Sequence, residues 1–159
     1  MTTDRLGATA VVRPAGVEDV GLLTRLREEW TAEQQDEPID DPGFGAEFAA
    51  WFEREAEHRL TWLAEIESTP VGMLNMLVFT RMPKPARRTT SQWGYVANVY
   101  VDAAHRDAGV GRMLLDAATA HARAHDFVRL VLSPSERSIP FYERAGFVPA
   151  ASLMINELS

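Results

Sequence analysis

The chain has 159 residues, of which 46% are hydrophobic and 25% are charged, and its formal net charge at pH 7 is −7. This composition indicates a single soluble globular domain over residues 1–159, and so acidic a chain does not favour nucleic acid as a partner. The absence of cysteine excludes a disulfide framework, an iron–sulfur cluster and a cysteine zinc site. The N-terminal residues have no apolar signal core and no stretch is long enough for a membrane span, so we expect a cytoplasmic protein without membrane contact.

The N-terminal half is predicted to form one strand, two helices and then two strands. A β-branched run over residues 8–13 stops at Pro14, and spaced apolar residues from Asp19 to Trp30 predict the first helix. A second helix is predicted from Asp41 to about His58, because aromatic residues recur there at helical spacing. These rings, interpreted mainly as core, are Phe44, Phe48, Trp51 and Phe52. Strands over residues 61–66 and 71–80 follow, and then a basic loop containing Arg81, Lys84, Arg87 and Arg88.

The C-terminal half is predicted to continue with a strand over residues 93–101, a helix over 111–125 and a strand over 127–132. A short helix should begin near Ser138, since Pro140 is tolerated only in a first turn, and should end at Gly146 as the left-handed residue. Helices between strands predict a mixed sheet with helices on both sides.

A glycine-containing turn separates the strand over residues 93–101 from the helix that follows. Gly109 and Gly111 have no Cβ, so the backbone can approach a ligand closely, and the helix start offers unpaired N–H groups to an anion such as phosphate. Arg106 and Arg112 flank the turn and would add charge-assisted donors. A dinucleotide fingerprint would need a third glycine at Leu114, and a P-loop would need lysine at Arg112, so both are excluded.

The remaining pattern, Arg106-x-x-Gly109-x-Gly111, resembles the pyrophosphate loop of the GCN5-related N-acetyltransferases (GNAT) of bacterial type. A second motif, Phe141-Tyr142-Glu-x-x-Gly-Phe147, resembles the last characteristic block of that family. The two motifs occur in the family's order and spacing. The resemblance is carried by residues 93–150, an acyl-CoA-binding core, and extends with few motifs over residues 8–80, an acceptor-side half.

The resemblance implies an α/β (α+β) fold of GNAT type. Its sheet would be mixed and mostly antiparallel, with six to seven strands, about four helices on both faces and a splayed central strand pair. It also implies acetyl-CoA (coenzyme A) as co-substrate without a metal, and direct transfer of the acetyl group to a primary amine of a small molecule or peptide. Whether the chain forms a homodimer is left open.

The resemblance assigns roles residue by residue. Tyr142 would protonate the leaving thiolate, while Tyr95 and Asn98 could hold the water through which the amine loses its proton. The predicted coenzyme A site comprises Val99, Tyr100, Val101, Arg106, Asp107, Ala108, Gly109, Val110, Gly111, Arg112, Ser135, Ser138 and Phe141.

Two positions depart from the family pattern, because Tyr95 stands where some members have a glutamate base and Ser135 where many have asparagine. The base therefore stays open between the water and one of Glu28, Glu29 and Glu33. An alternative function is a non-catalytic acyl-CoA-binding sensor or interaction module on the same fold, since fold does not fix activity. A third is transfer of a longer acyl chain, which depends on the pocket near Met73, Met76 and Ala97.

Overall fold

The computed structural model describes residues 9–86 and 91–159. Arg87 and Arg88 of the predicted basic loop, and Ala8 of the predicted first strand, lie outside the described residues. Within the described ranges, no helix is long and apolar enough to cross a membrane.

Each strand and helix predicted from the residue patterns is present. The strands are β1 (Val11–Pro14), β2 (Arg59–Ile66), β3 (Thr69–Thr80), β4 (Gln92–Val101) and β5 (Leu130–Val131). The helices are α1 (Val20–Gln35), α2 (Phe44–Glu55), α3 (Val110–Ala124) and α4 (Ile139–Arg144). The largest differences from prediction are in β5, which is shorter than residues 127–132, at the C-terminal end of α1, which continues to Gln35, and at both ends of α2.

Over the residues that the structure describes, the sheet has five strands in the order β1-β2-β3-β4-β5. Neighbouring strands are antiparallel except β4 and β5, which run parallel. The predicted mixed, mostly antiparallel sheet with about four helices is therefore confirmed, but the predicted number of six to seven strands is wrong.

No further strand follows α4, where the described chain forms turns and irregular backbone up to residue 159. After Phe147, which packs against the α3 cluster, the large apolar side chains are exposed, as Val148 at 82% and Met154 at 95% show. The higher strand number came from the resemblance alone. In residues 147–159 Pro149 cannot donate to a ladder, and no run of alternating apolar residues marks a buried strand face.

The two faces of the sheet bury two separate hydrophobic clusters. On one face α3 packs on the sheet, and Leu74, Met76 and Leu114 are fully buried. On the other face α1 and α2 pack around Leu63 and Tyr100. Alternate residues of β2 and β3 point into opposite clusters, as a period of two requires.

A β-bulge in β4 changes which residues face each cluster. Asn75 of β3 pairs with Asn98, whereas its neighbour Met76 pairs with Val96, so Ala97 is an extra residue in β4. Such a bulge moves the following side chains to the opposite face. It places Asn98 beside Asn75 on the α1 and α2 face, and leaves Val99 in the α3 cluster.

We expect Gly72→Ala to destabilise the fold, because a Cβ at Gly72 would lie 2.9 Å from the Tyr100 carbonyl oxygen and 3.2 Å from Leu114 Cδ1. Overpacking of this kind costs about 1–3 kcal/mol. The matched control is Gly45→Ala in α2, where a Cβ would meet nothing within 4 Å. Urea denaturation of both variants measures the difference, and equal stabilities would contradict this account of the α3 packing.

Candidate active site

The connection from β4 to α3 is held by backbone and capping hydrogen bonds. The N–H of Asp102 donates to the carbonyl of Val71 at 2.9 Å, and the Asp102 carboxylate accepts from the N–H of His105 at 3.0 Å, starting a 3₁₀ turn over Ala103–His105. Asp107 and Gly109 then adopt left-handed backbone conformations, with φ of 59° and 85°. These contacts fix the path of the loop before α3 begins.

The start of α3 leaves backbone donors open. Gly109 is the N-cap residue and no side chain caps the helix. The N–H of Met113 donates to the carbonyl of Gly109 at 3.0 Å, so the N–H groups of Val110, Gly111 and Arg112 precede the first intrahelical bond. A Cβ at Gly109 would meet nothing within 4 Å, so the space beside the N-cap residue is open. The arrangement fits a phosphate group held by backbone donors at a helix N-terminus.

The two arginines that flank the turn both bind oxygens of the protein itself. Arg106 donates to the Glu33 carboxylate at 2.7 Å and to the Val101 carbonyl at 3.0 Å. Arg112 donates to Asp116 at 2.8 Å and to the carbonyl of Arg144 at 3.1 Å. Both expected charge-assisted donors thus form hydrogen bonds within the fold, and the turn in addition offers backbone N–H groups.

The second sequence motif lies directly against this turn. A Cβ at Gly111 would lie 3.4 Å from Cζ of Phe141, which shows how closely the Phe141 ring covers the start of α3. Ser138 is the N-cap residue of α4, but its hydroxyl donates to the Ser135 carbonyl instead of accepting from the helix. Gly146 follows α4 with φ of 95°, as predicted for its left-handed end. The structure therefore brings the two motifs together.

Tyr142 is half-buried, and its ring meets those of Phe141 and Phe147 edge-on at centroid distances of 5.0 and 5.8 Å. Burial raises the pKa of its hydroxyl above the ordinary value of a phenol. Burial disfavours the phenolate, so Tyr142 keeps its proton at neutral pH and can act as a proton donor.

One side of β4 is unpaired over most of its length. β5 pairs with β4 only through Gly94 and Tyr95, and β3 pairs on the opposite side. Among the described residues, no strand therefore covers residues 96–101 on the β5 side, and the two strands that separate here lie at the edge of the sheet and not at its centre. The hydroxyl of Tyr95 donates to Ser133 at 3.3 Å at the point where the two strands separate.

A cavity of about 300 Å³ lies between α1, α2 and the sheet. Its sheet side includes Thr61, Met73, Asn75 and Asn98. Asn75 is 6% exposed; its carboxamide donates to Thr61 at 2.8 Å and accepts from Arg59 at 2.7 Å. In the part of the chain that the structure describes, no hydrogen bond engages the Asn98 carboxamide, which is thus available to a ligand.

A second cavity, of about 440 Å³, adjoins the first and shares Trp51, Phe52, Thr61 and Asn75 with it. It extends past the end of β1 towards His121 of α3, and none of its lining residues belongs to β4. The smaller cavity is therefore the better candidate for a reaction centre, because Asn98 connects it to the unpaired strand.

The aromatic residues of α2 line the smaller cavity, and two of them, Phe48 and Phe52, also pack against the buried cluster as expected of core residues. Phe44, Phe48, Trp51 and Phe52 all border it, and no residue of α2 is buried. Its charged lining residues are Arg27, Glu47 and Arg54, so the acidic residues named as candidate bases, Glu28, Glu29 and Glu33, do not line it.

Sequence reasoning missed Asn75, Thr61 and Glu47. A lone asparagine within the apolar run of β3 was the available signal, because a buried carboxamide needs hydrogen-bond partners. Glu47 gave no local signal, since an exposed glutamate on a helix is ordinary.

Comparison with known proteins agrees with the geometry. The model of the acetyltransferase (GNAT) family matches residues 21–147. Glucosamine 6-phosphate N-acetyltransferase of Trypanosoma brucei brucei is 30% identical over 77 residues, which span 48% of this chain and half (50%) of that relative. Glucosamine 6-phosphate N-acetyltransferase 1 of Oryza sativa subsp. japonica is 27% identical over 142 residues, which span 86% of this chain and 80% of the relative.

Among solved structures, a predicted acetyltransferase from Clostridium acetobutylicum, crystallised with acetyl-CoA, has the same fold. The TM-score is 0.73 at 21% identity, over 94% of this chain and 97% of that one. The family match spans both sequence motifs, and the structure places those motifs in contact at the open end of α3. The chain belongs to the GNAT family of N-acetyltransferases.

Proposed function

We propose that the protein transfers the acetyl group of acetyl-CoA to a primary amine of a small molecule or peptide by direct attack. The observation that carries this proposal is the contact of Phe141 with Gly111, because it places the Tyr142 helix beside the open amides of α3. The pyrophosphate of coenzyme A would bind the N–H groups of Val110, Gly111 and Arg112. Its pantetheine arm would lie along residues 96–101 of β4, whose β5 side carries no paired strand.

In the proposed reaction, the amine nitrogen attacks the thioester carbonyl and the carbon–sulfur bond breaks. The thiolate that leaves takes the proton of the Tyr142 hydroxyl, and the acetylated amine loses one proton to water or a side chain. Tyr142 suits this role because burial keeps its hydroxyl protonated. The Asn98 carboxamide, at the meeting point of β4 and the cavity, is suited to orient the amine or the water that accepts its proton.

The charges of the cavity support an acceptor that carries an anionic group as well as an amine. The guanidinium groups of Arg27 and Arg54 can bind a phosphate or carboxylate, and the Glu47 carboxylate can bind an ammonium group. An amino sugar phosphate is the first acceptor to test, since both curated relatives are glucosamine 6-phosphate N-acetyltransferases by name. A thiol-release assay with acetyl-CoA and a library of amines tests the activity, and binding without turnover of any amine would favour the sensor.

We expect Gly111→Val to weaken the affinity for coenzyme A by about tenfold or more, or about 1.4 kcal/mol. The added side chain would meet both the phosphate and the Phe141 ring, which lies 3.4 Å from the Cβ position. Gly21→Val is the control, because Gly21 is also the second residue of its helix and a Cβ there meets nothing within 4 Å. Calorimetry measures both affinities, and an unchanged affinity in folded Gly111→Val would contradict the assignment.

Tyr142→Phe should keep the ring packing and remove the proton donor. General acid catalysis is typically worth about 10² to 10⁴ in rate, so we expect kcat to fall within that range while the affinity for coenzyme A stays unchanged. Tyr95→Phe is not a neutral control, because Tyr95 is itself a candidate for holding the water that accepts the amine proton; its hydroxyl donates to Ser133. Wild-type turnover by Tyr142→Phe, under conditions where chemistry limits the rate, would exclude the acid role.

Arg54→Ala should impair the use of an anionic amine more than that of its uncharged counterpart. A charge-assisted hydrogen bond at a partly exposed site is worth about 1 kcal/mol, or roughly fivefold in kcat/KM. Arg25→Ala is the control, because Arg25 is an exposed residue of α1 outside the cavity lining. The comparison of kcat/KM for glucosamine 6-phosphate and glucosamine measures the effect, and an equal loss on both would contradict anion recognition.

A further inference from the structure

A forked ion pair joins the end of α1 to the first residue of the turn before α3. Arg106 donates through Nη2 to Oε2 of Glu33 at 2.7 Å, and its Nη1 lies 2.5 Å from Oε1. The two residues are 73 positions apart in the chain. Two parallel bonds between a planar guanidinium and a carboxylate fix orientation as well as distance.

Two further contacts hold the same guanidinium. Its Nε donates to the carbonyl of Val101, the last residue of β4, at 3.0 Å. Its carbon atom lies 5.7 Å from the ring centroid of Tyr100, whose hydroxyl donates to Glu33 at 3.3 Å. Tyr100 is 5% exposed and stacks on Trp30 of α1 at a centroid distance of 5.4 Å. Arg106 is thus tied to both β4 and α1.

The ionisation states of the group favour these bonds at neutral pH. The hydrogen bond from Arg106 is the main cause that lowers the pKa of Glu33, so the carboxylate stays charged. Burial is the main cause that raises the pKa of Tyr100 to about 12, so its hydroxyl stays a donor. A carboxylate with a lowered pKa is a poor general base, which argues against Glu33 in that role.

Only Asp107 and Ala108 separate Arg106 from Gly109. The position of Arg106 therefore determines the direction in which the chain enters the turn, while α3 determines how it leaves. An isolated pair with about 40% exposure on each side chain would contribute little to stability. Its larger effect is on the geometry of the loop, because a ligand site held in its binding conformation loses less entropy on binding.

We infer that Glu33 is a positioning residue for coenzyme A, which holds Arg106 and through it the backbone donors of the turn. The inference rests on the proposed function, since it requires that the pyrophosphate binds at the start of α3. In this arrangement the Arg106 side chain supports the loop, and the backbone N–H groups bind the phosphate.

Simple charge attraction predicts that removal of Glu33 strengthens coenzyme A binding, which is the opposite of the change expected from a positioning role. Glu33 is an anion near the proposed phosphate site, and it occupies the fork of an arginine that could otherwise bind phosphate. If Arg106 were a direct phosphate ligand restrained by Glu33, removal of Glu33 would strengthen coenzyme A binding. The sign of the change therefore separates the two roles.

The experiment compares Glu33→Ala, Glu33→Gln, Arg106→Ala and the double alanine variant with the wild-type protein by calorimetry with coenzyme A. We expect Kd to rise about threefold to tenfold in Glu33→Ala and in Arg106→Ala, and no further in the double variant, because both changes break one unit. Glu33→Gln keeps an oxygen acceptor and should lie between. Glu37→Ala is the control, since it removes the same charge from an exposed position just after α1.

A second readout separates positioning from general damage to the fold. The KM for acetyl-CoA should rise in Glu33→Ala, whereas kcat and the KM for acetyl-pantetheine, which lacks the pyrophosphate, should stay at wild-type values. Thermal unfolding verifies that Glu33→Ala is folded. If it is not, Glu33→Gln is used instead, with a smaller expected rise of the KM for acetyl-CoA.

Each outcome decides one point. Wild-type protein that does not bind coenzyme A would overturn the proposed function and the inference with it. Wild-type protein that binds coenzyme A, with an equal or lower Kd in folded Glu33→Ala, would overturn the inference alone. An equal loss of acetyl-pantetheine use, or additive effects in the double variant, would also overturn it.

Discussion

The site depends on the packing of α4 against the first turn of α3. A helix N-terminus that is merely exposed binds nothing specific. At the start of α3, however, the three open N–H groups are bordered by the Phe141 ring and by the end of β4. Phe141 closes one side at 3.4 Å from the Gly111 Cβ position, and Val101 Cγ2 lies 3.7 Å from the same point. Arg112 adds a hydrogen bond from α3 to the end of α4. A Cβ at residue 111 would meet Phe141 and Val101 at ordinary van der Waals distances, so packing alone does not require glycine there.

The same packing explains how two distant halves of the chain form one site. The end of β4 contributes Val101 to the turn, and the bulge at Ala97 a few residues earlier turns Asn98 towards α1 and α2. Without the extra residue, Asn98 would face the apolar cluster under α3, where a carboxamide lacks partners. One strand therefore presents a backbone edge to one proposed substrate and a polar side chain to the other. Arg106 and Glu33 connect these regions from the outside.

Local sequence patterns predicted the helices, the strands and the glycine turn, because hydrophobic period, proline and glycine act over a few residues. They did not predict the cavity. Asn75, Thr61 and Arg59 meet through the register of β2 and β3, and the partners of Arg106 and Arg112 depend on long-range packing. The strand number failed for another reason, since the expected sixth and seventh strands followed from the resemblance, and residues 147–159 carry no pattern that supports them.

The central claim is that backbone amides at the start of α3 hold the pyrophosphate of coenzyme A. Titration of ¹⁵N-labelled protein with coenzyme A, followed by the amide resonances of Val110, Gly111 and Arg112, tests it most directly. The account predicts that these resonances shift more than those of the amides at the equivalent start of α1, and that pantetheine alone does not reproduce the shifts. Saturable binding of coenzyme A with these three resonances unmoved would contradict it.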